Sequence, residues 1–327
     1  STDSTPLATV VLVDDTNDTN DVVLLKGKMV LEGTSSVLVD TFPVTFTATG
    51  AAVAPYAEAV ASSVKLTIAG KEFTKTMTAG ASAVVVTFDN LDLTISAGST
   101  VNFTVSADIN DTNATVGPAV NFDEGDTLKA ELLSANRTAM DVENSQGDQL
   151  ADSTEKTGTA LGEAMSFYVD GIAVKLSGTP TAVRTFTADA AGEDDQGTYT
   201  ISFDVTANGS DLYIDKSSEV AGADAAGQGV EFAVTATAGT PALSSDLLES
   251  STTDTLDTSD TFIVKEGQTR HFTLTVIYTA DTTPTDGSAY VAISSINWGT
   301  ANDNTNANYY TFNLGDYKTP SLFLNAM

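Results

Sequence analysis

The sequence contains no cysteine, one histidine and one tryptophan. Without cysteine there is no disulfide framework, no thiolate zinc site, no iron–sulfur cluster and no cysteine nucleophile. Basic residues are also scarce: 14 Lys and Arg stand against 44 Asp and Glu, for a net charge of -30. Phosphate contacts need Lys and Arg, so nucleic acid is not an expected partner. An anionic membrane surface is disfavoured for the same reason. No run of about 18 apolar residues occurs, so no membrane-inserting helix is expected. A charged start followed by an apolar stretch is missing too, and the chain opens at Ser1 rather than Met. We therefore expect a mature exported protein whose signal has been removed.

What the sequence does have is β-branched residues, with Thr and Val abundant, and far more Asp than Glu. Thr and Val favour strands, whereas Asp favours turns and caps. With 41% apolar residues there is material for real cores, so the high charge does not imply disorder. At 327 residues the length fits about two domains of roughly 100–200 residues each.

Alternation with period 2 supports an all-β fold. Phe42, Val44 and Phe46 share one face, as do Val64, Leu66 and Ile68. Ala69-Gly70 is a turn signal between that strand and Lys71 to Met77. Val84–Phe88, Leu91–Ile95 and Val101–Ala107 follow. The second half alternates in Thr198–Ala207, Glu231–Ala236, Phe272–Tyr278 and Tyr290–Trp298, and adds a short strand at Phe262–Val264. Ala51–Ala61 is Ala-rich, but Pro55 limits it to a short helical turn or a crossover. Candidate strands with a turn every 8–12 residues or so read as β-sandwiches. The polar, aperiodic stretch 144–161 marks a boundary, giving domains at 1–150 and 151–327.

The halves share a motif. Ala97-Gly98-Ser99-Thr100-Val101-Asn102-Phe103-Thr104-Val105 matches Glu266-Gly267-Gln268-Thr269-Arg270-His271-Phe272-Thr273-Leu274. Upstream, Val44–Ala48 resembles Phe203–Ala207. The runs Ser63–Lys71, Val86–Gly98 and Phe103–Ile109 together resemble a recurrent immunoglobulin-like module of large exported prokaryotic surface proteins, notably those of candidate-phyla-radiation bacteria. The resemblance covers about residues 37–110 well and the second half loosely. It implies two immunoglobulin-like β-sandwich domains in tandem and a structural role at the cell surface, in a surface layer, filament or adhesin. Its motifs are packing motifs and carry no catalytic residue.

Three loops are rich in Asp and Asn. The densest supplies Asp14, Asp15, Asn17, Asp18 and Asp21; the second supplies Asp108, Asn110, Asp111 and Asn113; Asn302–Asn306 is a weaker echo. Calcium takes six to eight oxygens from such groups, so calcium is the one cofactor these loops suggest. They are not EF-hands, because Lys26 occupies the twelfth position counted from Asp15. Solvated turns use the same residues. The acidic stretches Asp123–Asp126 and Glu193–Asp195 read as plain solvated loops. His271 alternates with Phe272 and Leu274 and so faces solvent, without an evident partner. Trp298 ends an apolar strand and reads as core. Six Asn-x-Ser/Thr sequons occur, at Asn17, Asn102, Asn110, Asn113, Asn136 and Asn208, which a chain this rich in Asn, Ser and Thr produces by chance.

No G-x-S-x-G elbow, P-loop or H-E-x-x-H motif is present, so no enzyme is expected. The leading expectation is a structural subunit of an extracellular surface assembly, a filament or surface layer, whose partners are copies of itself and other cell-surface components. The alternative is a calcium-stabilised adhesin or carbohydrate-binding module of a larger protein. The segments Ala8–Val13 and Ser321–Asn325 are each suited either to pair within their own domain or to add to an edge of another subunit.

Overall fold

The structure is a computed structural model and describes residues 5–50, 55–112, 122–152, 154–188, 193–221, 229–239, 241–280, 287–302 and 308–325, with the backbone alone at 186–188, 193 and 194. Strands make up 57% of the chain and helix 4%, so the fold is all-β, as the alternation requires. Two units emerge, Ser1–Val169 and Asp170–Met327.

The first unit runs β1 (Val10–Leu12), β2 (Thr19–Val30), β3 (Val37–Val39), β4 (Phe42–Thr49), α1 (Ala57–Val60), β5 (Ala61–Ile68), β6 (Lys71–Thr76), β7 (Ala83–Phe88), β8 (Leu93–Ile95), β9 (Thr100–Ile109), β10 (Thr127–Leu132), α2 (Ser134–Thr138), β11 (Val142–Asn144), β12 (Ala160–Leu161) and β13 (Met165–Tyr168). One sheet is ordered β2-β9-β5-β6, a second β1-β13-β10-β4-β7 with β12 also on β10, and a third β11-β3-β8. A single core joins all three. Alternate residues supply it: Phe42, Val44 and Phe46 from β4, Val64, Leu66 and Ile68 from β5, Phe103 and Val105 from β9. Phe42 meets Phe103 edge to face, 5.0 Å between ring centroids, and fastens two sheets together. Ala69 (φ 50°) and Gly70 (φ 76°) form the two-residue turn that pairs Ile68 with Lys71.

The expected boundary at 150/151 lies ahead of β12 and β13, yet both strands pair with β10 of the first unit. The second unit therefore begins at Asp170. Short strands without alternation, buried at every residue of Met165–Tyr168, carry no period to read.

The second unit runs β14 (Gly171–Leu176), β15 (Thr181–Ala188), β16 (Glu193–Asn208), β17 (Leu212–Asp215), β18 (Ser218–Val220), β19 (Val230–Ala236), β20 (Ala242–Ser250), β21 (Thr261–Val264), β22 (Thr269–Thr279), β23 (Gly287–Trp298), β24 (Asn308–Tyr310), a 3-10 turn at Leu314–Asp316 and β25 (Leu322–Leu324). Its main sheet is β14-β16-β22-β20 with β15 also on β16, and its central pair β16–β22 matches the pair β5–β9 of the first unit, while the flanking strands differ: β14 precedes β16, whereas β6 follows β5. The registers agree. Ile68 opposes Phe103 as Phe203 opposes Phe272, and Leu66 opposes Val105 as Ile201 opposes Leu274. The shared motif forms the same turn, with Gly98 and Gly267 both at φ 68° and the following N–H bonded three residues back in each. The counterpart of β16 is therefore β5. The likeness of Val44–Ala48 to Phe203–Ala207 does not carry over, since β4 lies in the facing sheet.

Both segments singled out near the ends pair within their own unit. Val10, Val11 and Leu12 run parallel to Ser166, Phe167 and Tyr168. Leu322–Leu324 runs antiparallel to Gly287–Ala289. Buried Asp195 holds the latter segment by accepting the Asn325 N–H at 2.8 Å and pairing with Arg184 at 3.2 Å.

One ion pair organises the second unit. Arg270, buried in β22, places all five N–H donors. Two go to the Asp257 carboxylate at 2.6 and 2.8 Å, and the others to Ser250 Oγ and the carbonyls of Thr252 and Ile263. Its guanidinium lies 4.8 Å from the Phe262 ring centroid and 5.8 Å from that of Phe272. Burial pushes the Asp257 carboxyl up, but Arg270 and the Ile263 and Asp254 amides outweigh it and hold the carboxyl at about 2. With an ordinary value of 3.8, this pair contributes about 2 kcal/mol above pH 4, lost as the pH falls through 2. Acid titration of the unfolding free energy should show this loss, and Asp257→Asn should lower stability at pH 7 and flatten the slope between pH 4 and 2.

Candidate functional site

The two densest acidic loops meet, although Asp21 and Asp108 lie far apart in sequence. β2 pairs with β9 through an irregularity between Thr19 and Val22, and Asp21 there takes φ 60°, which a short Asp side chain tolerates. This turns the Asp21 N–H onto Asp108 Oδ1 at 3.0 Å. Asp108 also accepts the Ser63 hydroxyl at 2.6 Å. The cation between the loops is Lys65, whose Nζ lies 2.6 Å from Asp21 Oδ1 and 3.2 Å from Asp108 Oδ1. Burial raises the Asp108 carboxyl, but Ser63, the Asp21 amide and Lys65 together bring it below the usual carboxylate range.

The other candidate ligands divide. Asp14 Oδ1 accepts the Thr16 N–H and hydroxyl and the Asn17 N–H, at 2.7, 2.8 and 3.1 Å, closing an Asx turn that lowers its carboxyl. Asp15, Asn17 and Asp18 lie exposed on that loop and Asp111 is partly exposed beyond β9. Asn110 is buried and structural. Its side-chain amide donates to the Glu58 and Ala59 carbonyls at 2.9 Å, satisfying the end of α1. Asn113 and residues 303–306 lie outside the described residues. Among the described residues no three His, Asp or Glu side chains form a metal-holding group.

A second acidic site was not legible in the sequence. Asp40, Asp92, Asp141 and Glu143, with Leu38, line a cleft of about 250 Å³. The antiparallel registers of β3 with β8 and β11 assemble it. Asp141 and Glu143 lie two residues apart, but only strand pairing brings Asp40 and Asp92 to them. Gln149 bridges Asp141 and Glu143, and the Lys71 ammonium reaches the carbonyls of Leu91 and Asp92 at 3.3 and 3.4 Å. Such a cleft concentrates negative potential and attracts cations.

Three readings need correction. Glu193–Asp195 is not a solvated loop but the start of strand β16, with Asp195 buried. His271 has a partner: its Nδ1 lies 2.7 Å from Asp204 Oδ1, across the register that pairs these residues. Asp126 is not in a plain solvated loop but buried, with its carboxylate accepting the Asp123 N–H at 2.9 Å. Its carbonyl accepts the Phe167 N–H, and Phe167 O accepts the Gly125 N–H, so this loop latches β13. Trp298 is fully buried, as core packing requires.

No protein-family model and no curated protein matches the sequence. Two crystal structures of a GH2 β-galacturonidase from Eisenbergiella tayi, one bound to galacturonate and one to glycerol, match at 9% and 10% identity, each with a TM-score of 0.16. The matches cover 83% and 82% of this chain and 32% of each enzyme chain, so this chain spans about a third of their length. At that TM-score the likeness carries no functional weight.

Burial pushes the Asp126 carboxyl up to about 6; the Asp123 N–H lowers it and the Asp123 charge raises it again. A folded value above the ordinary 3.8 favours the protonated form. The associated stability, about 3 kcal/mol, is full below pH 4 and lost as the pH rises through 6. Asp126→Asn should therefore stabilise the protein at pH 8, with little change at pH 4, in thermal melts at the two pH values.

Proposed function

We propose that this chain is a structural, non-catalytic subunit of an extracellular surface assembly, a filament or surface layer, built from tandem immunoglobulin-like modules. Its partners are copies of itself and other cell-surface components. The observation that carries this reading is β1. It is a three-residue parallel strand closing the β13 edge of an otherwise antiparallel sheet; an exposed acidic loop leads from it to β2, and ahead of it the Thr5 hydroxyl donates to the Lys26 carbonyl and accepts the Lys26 N–H of β2. Beyond its backbone bonds it packs the partly buried Val11 and the adjoining buried Val13 against the core. The same segment of a neighbouring copy makes identical contacts, so exchange of β1 links subunits without new chemistry.

Charge shapes this assembly. Copies carrying -30 each repel one another, and calcium at the 14–18 loop is the counter-ion we propose. Calcium at 100 times its dissociation constant adds about 2.7 kcal/mol per site. Asp18→Ala should reduce the rise in melting temperature on calcium addition; a melt indifferent to calcium and chelator would remove the ion from the account. Deleting residues 1–13 should abolish polymers in native mass measurements and leave a folded monomer. An intact chain that stays monomeric with and without calcium would overturn the assembly role in favour of an adhesin.

A further inference from the structure

We propose that the outer edge of β7 is a self-pairing surface, on which β7 of a second copy of this chain docks antiparallel. β7 ends its sheet and pairs on one side only, with β4. Among the described residues nothing hydrogen-bonds its other side. Natural sheets protect such edges with charges, proline, bulges or short length. The other edges of more than four residues follow that rule. β2 carries Asp21, Lys26 and Lys28 and two irregularities, β6 carries Lys71, Glu72 and Lys75, and β20 carries Asp246 and Glu249. Lys175 and Arg184 mark β14 and β15. β7, Ala-Val-Val-Val-Thr-Phe, has none of these devices.

The neutrality extends further. From Thr76 to Phe88 no residue is charged, in a chain with 44 acidic side chains. The flanking Lys75 and Asp89 neutralise each other at 2.7 Å. Here two copies approach without the repulsion that opposes contact elsewhere. The strand is also self-complementary. Val84, Val86 and Phe88 are buried and fix it from within, while Ala83, Val85 and Thr87 face outward, Val85 at 53% exposure. With a two-fold axis at Val85, that residue meets the partner's Val85, and Ala83 meets the partner's Thr87. The exposed valine becomes an apolar cross-strand pair and the two sheets become one. Six residues bury less than the roughly 1,200 Å² of a stable complex, so the pairing is concentration-dependent by itself and reinforces contacts made elsewhere.

The inference is independent of β1 exchange. Sedimentation of the full chain should show mass rising from monomer toward dimer with concentration. Val85→Lys places a charge on each copy at the axis and should hold the protein at monomer mass, while Val183→Lys, on exposed β15, should associate like the parent. Because the chain has no cysteine, Val85→Cys reports the contact directly: mild oxidation should give a covalent dimer in at least tenfold excess over Val183→Cys. Association unchanged in Val85→Lys, or equal cross-linking at the two positions, would overturn the inference. Val85-dependent dimers that never polymerise would uphold it and overturn the assembly role; polymers indifferent to Val85→Lys would do the reverse.

Discussion

Mutual repulsion is the constraint on which this molecule's contacts depend. With 44 acidic and 14 basic side chains, apposed surfaces of two copies meet mostly as carboxylate against carboxylate. Burying a carboxylate without a partner is expensive, so in the proposed assembly the joints between copies use groups that carry no charge. The backbone at a sheet edge is such a group. Its N–H and C=O groups pair regardless of side-chain charge, and β1 and β7 close opposite ends of one sheet with strands that have no charged residue. Acids lie in loops and along other edges, and buried ones such as Asp126 and Asp195 have hydrogen-bond partners.

Inside the units the scarce cations are placed where they matter most. Lys65 sits between the Asp21 and Asp108 loops, and Arg270 lies against the Phe262 and Phe272 rings with every donor satisfied. Each lies on the main sheet of its unit, in a strand of the repeated central pair: β5 in one, β22 in the other. The repeat thus conserves that pair and its register while the flanking strands and the polar fastening differ.

Strand content was legible because alternation is a local property. Phe46, Phe103, Val105, Phe203, Phe272 and Leu274 follow period 2 in the sequence and are all buried. Within the Ala-rich exception, the described residues hold the four-residue α1. Illegible were features created by pairing across long separations. Nothing local assigns Met165–Tyr168 to the first unit, brings Asp40 beside Asp141, or tells that the cation between the acidic loops is Lys65. Asp126 was misread because composition reports charge but not depth. His271 was placed correctly on the outer face, while its Asp204 partner depended on the β16–β22 register.

Chain identity at the β1–β13 contact tests the central claim most directly. A photoreactive residue at position 11, in an assembled mixture of isotopically heavy and light chains, should cross-link to residues 165–168 of another chain, giving heavy–light hybrids by mass spectrometry. In the dispersed monomer the same cross-links should stay within one chain. Same-chain cross-links alone in the assembled material would contradict strand exchange as the joint between subunits.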